Sequence, residues 1–455
     1  MPRIAEVLEV PVGDAQWSLT TTLLVGAVAT PLMGRLGDGP HRRAVILIGL
    51  AAVTAGCVLA ALPLGFGALL IGRAAQGVGL GLTPLAMATA RDALPPERSR
   101  PAVAMLSVTT VAGVGLGYPV TGLVVEAAGL AAAFWFGAAV ALAALAVALF
   151  VVPSTAHRAR RPVDVVGAGL LGCGLAGLLL ALSEGQSWGW ASLPLLGLAG
   201  ASLLLVAGFV VRELRTSSPL VDLRLVRDPS VLTADVTALL AGVGNYLLIS
   251  LVTRYVQTPV EVGYGFGATV VVAGLVLVPF SVGSVAASRV APLLARRASP
   301  EAVLPVGSLL FVAALATFAL ARDSLWQVFV TMALAGLGVG GTFAALPGLV
   351  VRGVPASETG SAMSFNQVLR YVGFSTGSAA SAAVLAAHTG PGEALPNSGG
   401  YTVAAVVGCA TWTLTGLVSL VLPKLRQRPE RRLSVEDQLR LAEESVADGV
   451  PYDER

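Results

Sequence analysis

Two arginines stand inside apolar runs, where a cation needs a partner. A guanidinium near the centre of a bilayer costs about 2.5–3.5 kcal/mol on insertion scales, so it should face protein or water. Around Arg73, Gln76, Gly77 and Gly81 follow at i+3, i+4 and i+8, a single helical face. Around Arg370, Asn366 lies one turn before it, and Gly373 and Gly377 continue the same face. Arg370 lies roughly 18 Å from the inner end of its run at 1.5 Å per residue. Snorkelling to the headgroups is open to Arg73 and harder at that depth. Both sets, with Asn245 and Tyr246, are candidates for a substrate or proton pathway. The plainer readings are an interhelical hydrogen bond for Asn245 and a structural Arg370 bonded to backbone carbonyls.

A second group sits in a short basic connector. Asp38 is flanked by Gly37 and Gly39, with Gly34 and Arg35 before it and Arg42 and Arg43 after. Its carboxylate could be merely solvated. It could instead pair with an arginine such as Arg91, or dock at a neighbouring helix N-terminus, where the dipole favours anions. Gly113, Gly117 and Gly122, with Pro119, place small residues along one further helix. They suit close helix packing or a seal against leak. His41, His157 and His388 are isolated, and no nucleophile–base, metal-spacing or phosphate-loop pattern accompanies them. Nothing points to an enzyme, a metal, a cofactor or direct use of ATP.

These residues are positioned by thirteen apolar runs, near 17–33, 43–62, 66–90, 101–125, 131–152, 163–182, 192–211, 231–253, 266–288, 302–320, 325–350, 359–387 and 401–422. Each is long enough to cross a hydrocarbon core of about 30 Å as a helix. Counted across them, 24 of the 29 Lys and Arg residues fall on one side, in alternate loops and the tail; the other side carries Arg3, Arg254 and Arg322. The positive-inside rule makes the rich side cytoplasmic. The chain is 55% hydrophobic and 12% charged, against about 25% charged for soluble domains. The net charge of +3 is thus a topological signal, not a nucleic-acid footprint. Cys57, Cys173 and Cys409 lie in apolar runs and read as small hydrophobes.

Loop lengths divide the chain into residues 1–152 with five spans, 153–230 with two spans between basic linkers, 231–424 with six spans, and a tail, 425–455. Thirteen spans ending inside require an external N-terminus, yet no export signal precedes the first. One further helix upstream, carrying an acidic residue, is therefore expected and would complete a six-two-six plan. The loop at 34–43 and the stretch at 288–297 each have an Arg near a helix end and an Arg pair seven to eight residues on. Such repeated halves, with substrate bound between them, mark secondary transporters. In the tail, Ser434 and Asp437 suggest a short capped helix.

At these residues the chain resembles the major facilitator superfamily, in its fourteen-helix drug:proton antiporter branch. The stretch 34–43 resembles the superfamily's signature loop, with Gly39 and His41 as departures. Arg73, Gln76 and Gly77 resemble its Arg-x-x-Gln-Gly motif, and 113–122 its antiporter motif, with Tyr118 and Leu123 as departures. Residues 366–373 resemble the branch's eleventh-helix motif. The resemblance implies an all-α polytopic fold of two pseudo-symmetric bundles with two extra central helices. It also implies alternating access, a proton gradient as driving force, and a latch at Asp38 that holds the outward-facing state. The expected protein is a monomeric inner (plasma) membrane exporter of an amphipathic small molecule, embedded in the lipid bilayer, with a cytoplasmic C-terminus. A uniporter or importer of the same fold, or a transport-inactive membrane protein, is the alternative.

Overall fold

The computed structural model describes residues 2–10, 12–154, 164–216, 219–297, 302–390, 393 and 395–425. Ser434 and Asp437 of the tail and the linker's His157 lie outside them. The described residues form fifteen α-helices and no strand, as expected where every backbone N–H and C=O must be satisfied within lipid. They are α1 Pro2–Leu8, α2 Val12–Gly37, α3 Arg42–Ala61, α4 Phe66–Gly77, α5 Leu82–Ala93, α6 Pro96–Val151, α7 Val165–Trp188, α8 Leu193–Arg215, α9 Pro229–Gln257, α10 Val270–Val276, α11 Val278–Arg297, α12 Val303–Leu320, α13 Leu325–Gly353, α14 Thr359–Ala387 and α15 Ser398–Leu425.

Ten segments among the described residues are long and apolar enough to cross a membrane. Three more crossings are interrupted or polar. A single 3₁₀ turn, Val78–Gly81, joins α4 to α5. The 56 residues of α6 bend at Gly129, whose φ of 85° is left-handed and suits glycine, which lacks a Cβ to clash there. That bend makes α6 two crossings. The third is α14, whose Ser361, Ser364, Asn366, Gln367, Arg370 and Ser381 are all buried. Its polar face meets protein, so lipid never solvates it. These crossings match the thirteen apolar runs.

The deepest core gathers α9 and α11 to α15. Phe280, Phe311, Phe318, Phe343 and Trp412 are fully buried there, with Phe311 stacked on Trp412 at 4.2 Å. Around α2 to α6 the packing is thinner, with Met33, Ile46 and Leu85 as its own small cluster. Helices α7 and α8 pack on each other, and α7 also packs on α2 and α14. Leu171, Leu175 and Phe209 from this pair join Ala27 and Val368 in a third cluster. The first group meets the second along two seams: α2 and α5 against α14, and α6 against α11 and α13.

Candidate functional site

The first seam is closed, at the arginine-rich face, by a carboxylate on a helix end. Asp38 follows α2 directly and is 2% exposed. Its Oδ1 accepts from Gly360 N at 2.7 Å and its Oδ2 from Ser361 N at 2.9 Å. These are N–H groups of α14's first turn, which have no partner inside their own helix and sit at the positive end of its dipole. Gly34 permits the approach, since a Cβ there would fall 2.7 Å from Gly360 O. Burial raises the Asp38 carboxyl above the ordinary carboxylate range, and the Ser361 and Gly360 bonds draw it back down.

Charged neighbours frame this contact. Arg35 pairs with Glu358 at 3.2 Å across the seam. Arg91 donates to the Thr359 hydroxyl and to the carbonyls of Val351 and Val354. Arg42 stays within its own half, donating to Gly37 O at 2.6 Å and to Asp92 at 2.5 Å. Arg43 donates to Leu149 O at 2.7 Å on the surface. Of the two docking modes open to Asp38 in the sequence, the helix N-terminus is the one these bonds display.

The two buried arginines differ. Arg73 is bonded inside its own half, to Ser18 O at 3.0 Å and Gln76 Oε1 at 2.6 Å, and no carboxylate among the described residues pairs with it. Gln76 Nε2 has no partner among them. Arg370 reaches across to α6, donating to Ser107 O at 3.1 Å and Ser107 Oγ at 3.2 Å. Its guanidinium lies 4.1 Å from the Phe343 ring centroid, a cation–π contact. At 1% exposure it ties the halves together through the Ser107 carbonyl and hydroxyl. Gly373 and Gly377 on its face admit α9: a Cβ at either would fall within 2.3 Å and 2.0 Å of the Leu239 and Val243 carbonyls.

Asn366 donates to Asp235 Oδ1 at 2.9 Å, and Tyr246 stacks on Phe374 at 4.3 Å. The interhelical bond that is the plainer reading of Asn245 is not made among the described residues. Asn245 is 1% exposed and its Oδ1 has no partner among the described residues. Sequence reading missed Asp235 and Ser107. A carboxylate five residues into the apolar run at 231 was a visible signal, obscured by its nearness to the helix start and to Asp228, which caps α9.

The glycine motif of α6 needs a correction. An added Cβ at Gly113 or Gly117 meets nothing within 4 Å, and at Gly122 only Val271 at 3.8 Å. The close approach is at Gly115, where a Cβ would fall 2.2 Å from Leu277 O, and at Pro119, whose backbone abuts Gly274. Gly115 and Pro119 share a face at i and i+4, and that face meets α10 and α11; Gly113 and Gly117 lie on another. A cavity of about 720 Å³ also opens on this seam at the arginine-rich face, between Arg91, Arg100, Val103, Ala344, Pro347 and Arg352.

A multi-crossing helical protein with two halves joined along two seams, and charged ties across them, is a membrane transporter by architecture. The family model of the Major Facilitator Superfamily matches residues 1–378 and 235–444, and the chain belongs to that family. It is 29% identical over 398 residues to the "Tetracenomycin C resistance and export protein" of Streptomyces glaucescens, covering 86% of this chain and 72% of that one. It is 28% identical over 370 residues to a "Multidrug resistance protein B homolog" of Mycobacterium tuberculosis, covering 80% of this chain and 67% of that one. The human organic anion transporter MFSD10 (TETRAN) shares the fold, with a TM-score of 0.61, 19% identity and coverage of 91% and 87%.

Proposed function

We propose that the protein is a secondary exporter of amphipathic small molecules that works by alternating access in exchange for protons. It would sit in the inner (plasma) membrane as a monomer, with the arginine-rich face and the C-terminus cytoplasmic. The observation that carries this reading is the Asp38 clasp on α14. It joins the halves at the arginine-rich end, and on this reading breaking it would convert one access state into the other. On this reading Gly34, Arg35, Arg42, Arg43 and Arg91 serve the gate. Arg73, Gln76, Asn245, Tyr246, Asn366 and Arg370 flank the pathway. The domain plan (1–152, 153–230, 231–424) assigns the gate's two jaws to the outer blocks. Relatives named for antibiotic export and multidrug resistance support an outward direction.

Flux in proteoliposomes with an imposed pH gradient tests it, using tetracenomycin C and the dye ethidium as probes. The expected result is export that follows the gradient. Gradient-independent flux would make the protein a uniporter, and no flux of any probe would leave the inactive alternative. Arg73→Ala should abolish flux with expression retained, and Arg73→Lys should also be poor, because Lys lacks the planar fork that reaches Ser18 and Gln76 together. Wild-type flux in Arg73→Ala would return that arginine to a snorkelling role.

A further inference from the structure

We infer that Asp235 is a proton-binding site whose discharge to the cytoplasm is governed by the Asp38 clasp, an inference that rests on the proton-coupled reading above. Asp235 lies six residues into α9, about 9 Å from its start at 1.5 Å per residue, and is 4% exposed. Its sole partner among the described residues is the Asn366 amide at 2.9 Å. One neutral donor does not compensate an ionised carboxylate for its lost water, whereas the neutral acid fits such a site. Ionisable groups inside membrane segments mark ion and proton pathways by default.

Among the described side chains none supplies a counter-charge. On α14, Arg370 is engaged by Ser107 and Phe343, and Glu358, at the start of that helix, is paired with Arg35. The connector before α9 presents Asp222, Arg224 and Arg227, then Asp228 as the helix cap. Arg352 ends α13, α10 has no ionisable residue, α15 carries Lys424 next to its last residue, and among its described side chains Thr415 and Ser419 are buried and neutral. Asp38 lies behind the first turn of α14. None of the described side chains forms an ion pair with Asp235.

On this reading the release route runs past the clasp. Asp235 lines a small cavity of about 10 Å³, at the lower limit of what admits one water. The connector residues Val221, Asp222 and Val226 form one wall, and Ser361 and Phe365 of α14 the other. Ser361 is the residue whose N–H holds Asp38. One helical turn thus forms both the clasp and the lid over the acid. With the clasp closed, the carboxyl keeps its proton. When the clasp opens, the lid moves, the carboxyl O–H bond breaks, and the proton passes to water, leaving the carboxylate; no redox step is involved.

Infrared pH-difference spectra of the purified full chain, without substrate, test the site directly. The carboxylic-acid band should vanish in Asp235→Asn and persist in Asp222→Asn. A band unchanged in Asp235→Asn overturns the assignment. Should that variant fail to fold, Asp235→Glu should shift the band in frequency, and an unshifted band is equally fatal. In ethidium-loaded proteoliposomes, Asp235→Asn should slow pH-driven export about tenfold or more, while Asp235→Glu keeps measurable export. Wild-type export in Asp235→Asn overturns the proposal. If the wild type itself ignores the pH gradient, proton antiport fails as a function while the infrared result still decides Asp235.

Discussion

The two seams between the halves are built from opposite materials. The α2–α14 seam is held at its arginine-rich end by Asp38 on two backbone N–H groups, by Arg35–Glu358, and by Arg91 on Thr359. The α6 seam is held by close backbone approach of Gly115 to Leu277 and of Pro119 to Gly274 on α10, with Ser281 Oγ of α11 donating to Ala112 O at 2.8 Å. Hydrogen bonds to a charged group are directional and worth about 1.5–3 kcal/mol each, so they switch off over a short displacement. Apolar close packing has no such threshold and tolerates sliding. The polar seam is suited to be the catch, and the glycine seam the pivot about which the catch opens.

Crowding the pivot should have the largest effect. Gly115→Leu places a side chain where a Cβ already falls 2.2 Å from Leu277 O, and overpacking of a tight interior typically costs about 1–3 kcal/mol or more. The yield of monodisperse protein on size exclusion should collapse. Gly113→Leu and Gly117→Leu, which meet nothing within 4 Å, should retain wild-type yield. The opposite ranking would place the pivot elsewhere on α6.

Weakening the catch should alter rate more than folding. Asp38→Asn puts an NH2 where one of the two accepting oxygens stood, so turnover should fall about tenfold while substrate affinity changes little, since a conformational bias acts without touching ligand. A tenfold loss of affinity at unchanged turnover would make Asp38 part of a binding site. The pH dependence has a definite sign. The closed state raises the Asp38 carboxyl above its solvated value, so the closed state binds protons more tightly than the open one. Closure is therefore favoured most in acid and weakens as pH rises from the ordinary carboxylate range through the raised value, becoming flat above it. Cysteine cross-linking across the seam should follow that course in the wild type and lose it in Asp38→Asn.

The smallest effect should come from outside both seams. Asp164 caps α7 through Gly167 N at 2.9 Å and accepts from Arg212 Nε at 2.7 Å, and Arg212 holds its carboxyl below the ordinary range. Asp164→Ala should lower Tm by about 2 °C with transport unchanged. Because the shift is downward, this stabilisation is present above the ordinary carboxylate range and fades as pH falls through the depressed value. A transport defect here would bring α7 and α8 into the gating mechanism.

Much of the fold was legible beforehand, and less of the site. The crossings could be read singly because each helix satisfies its own hydrogen bonds, whatever its neighbours. Gly129 and the 3₁₀ turn after Gly77 interrupt crossings without hiding them. The glycines of α6 were read from identity and spacing, which selected Gly113 and Gly117 when the tight contact is at Gly115. Helical spacing says which residues share a face; it does not say which face a neighbour covers. Arg370 was visible as a buried charge, but Ser107, its partner 263 residues away, carries no local signature.

Sequence by itself determined that this is a multi-crossing helical membrane protein with one arginine-rich face. The transfer of each segment from water to lipid depends on that segment's own side chains, and the loop charges are its own as well. Tertiary structure alone decided which donors meet Asp38, which amide reaches Asp235, and which seam packs on Gly115. Those pairings join residues as far as 323 positions apart, and they exist only once the rotation and depth of every helix have been set by packing against the others.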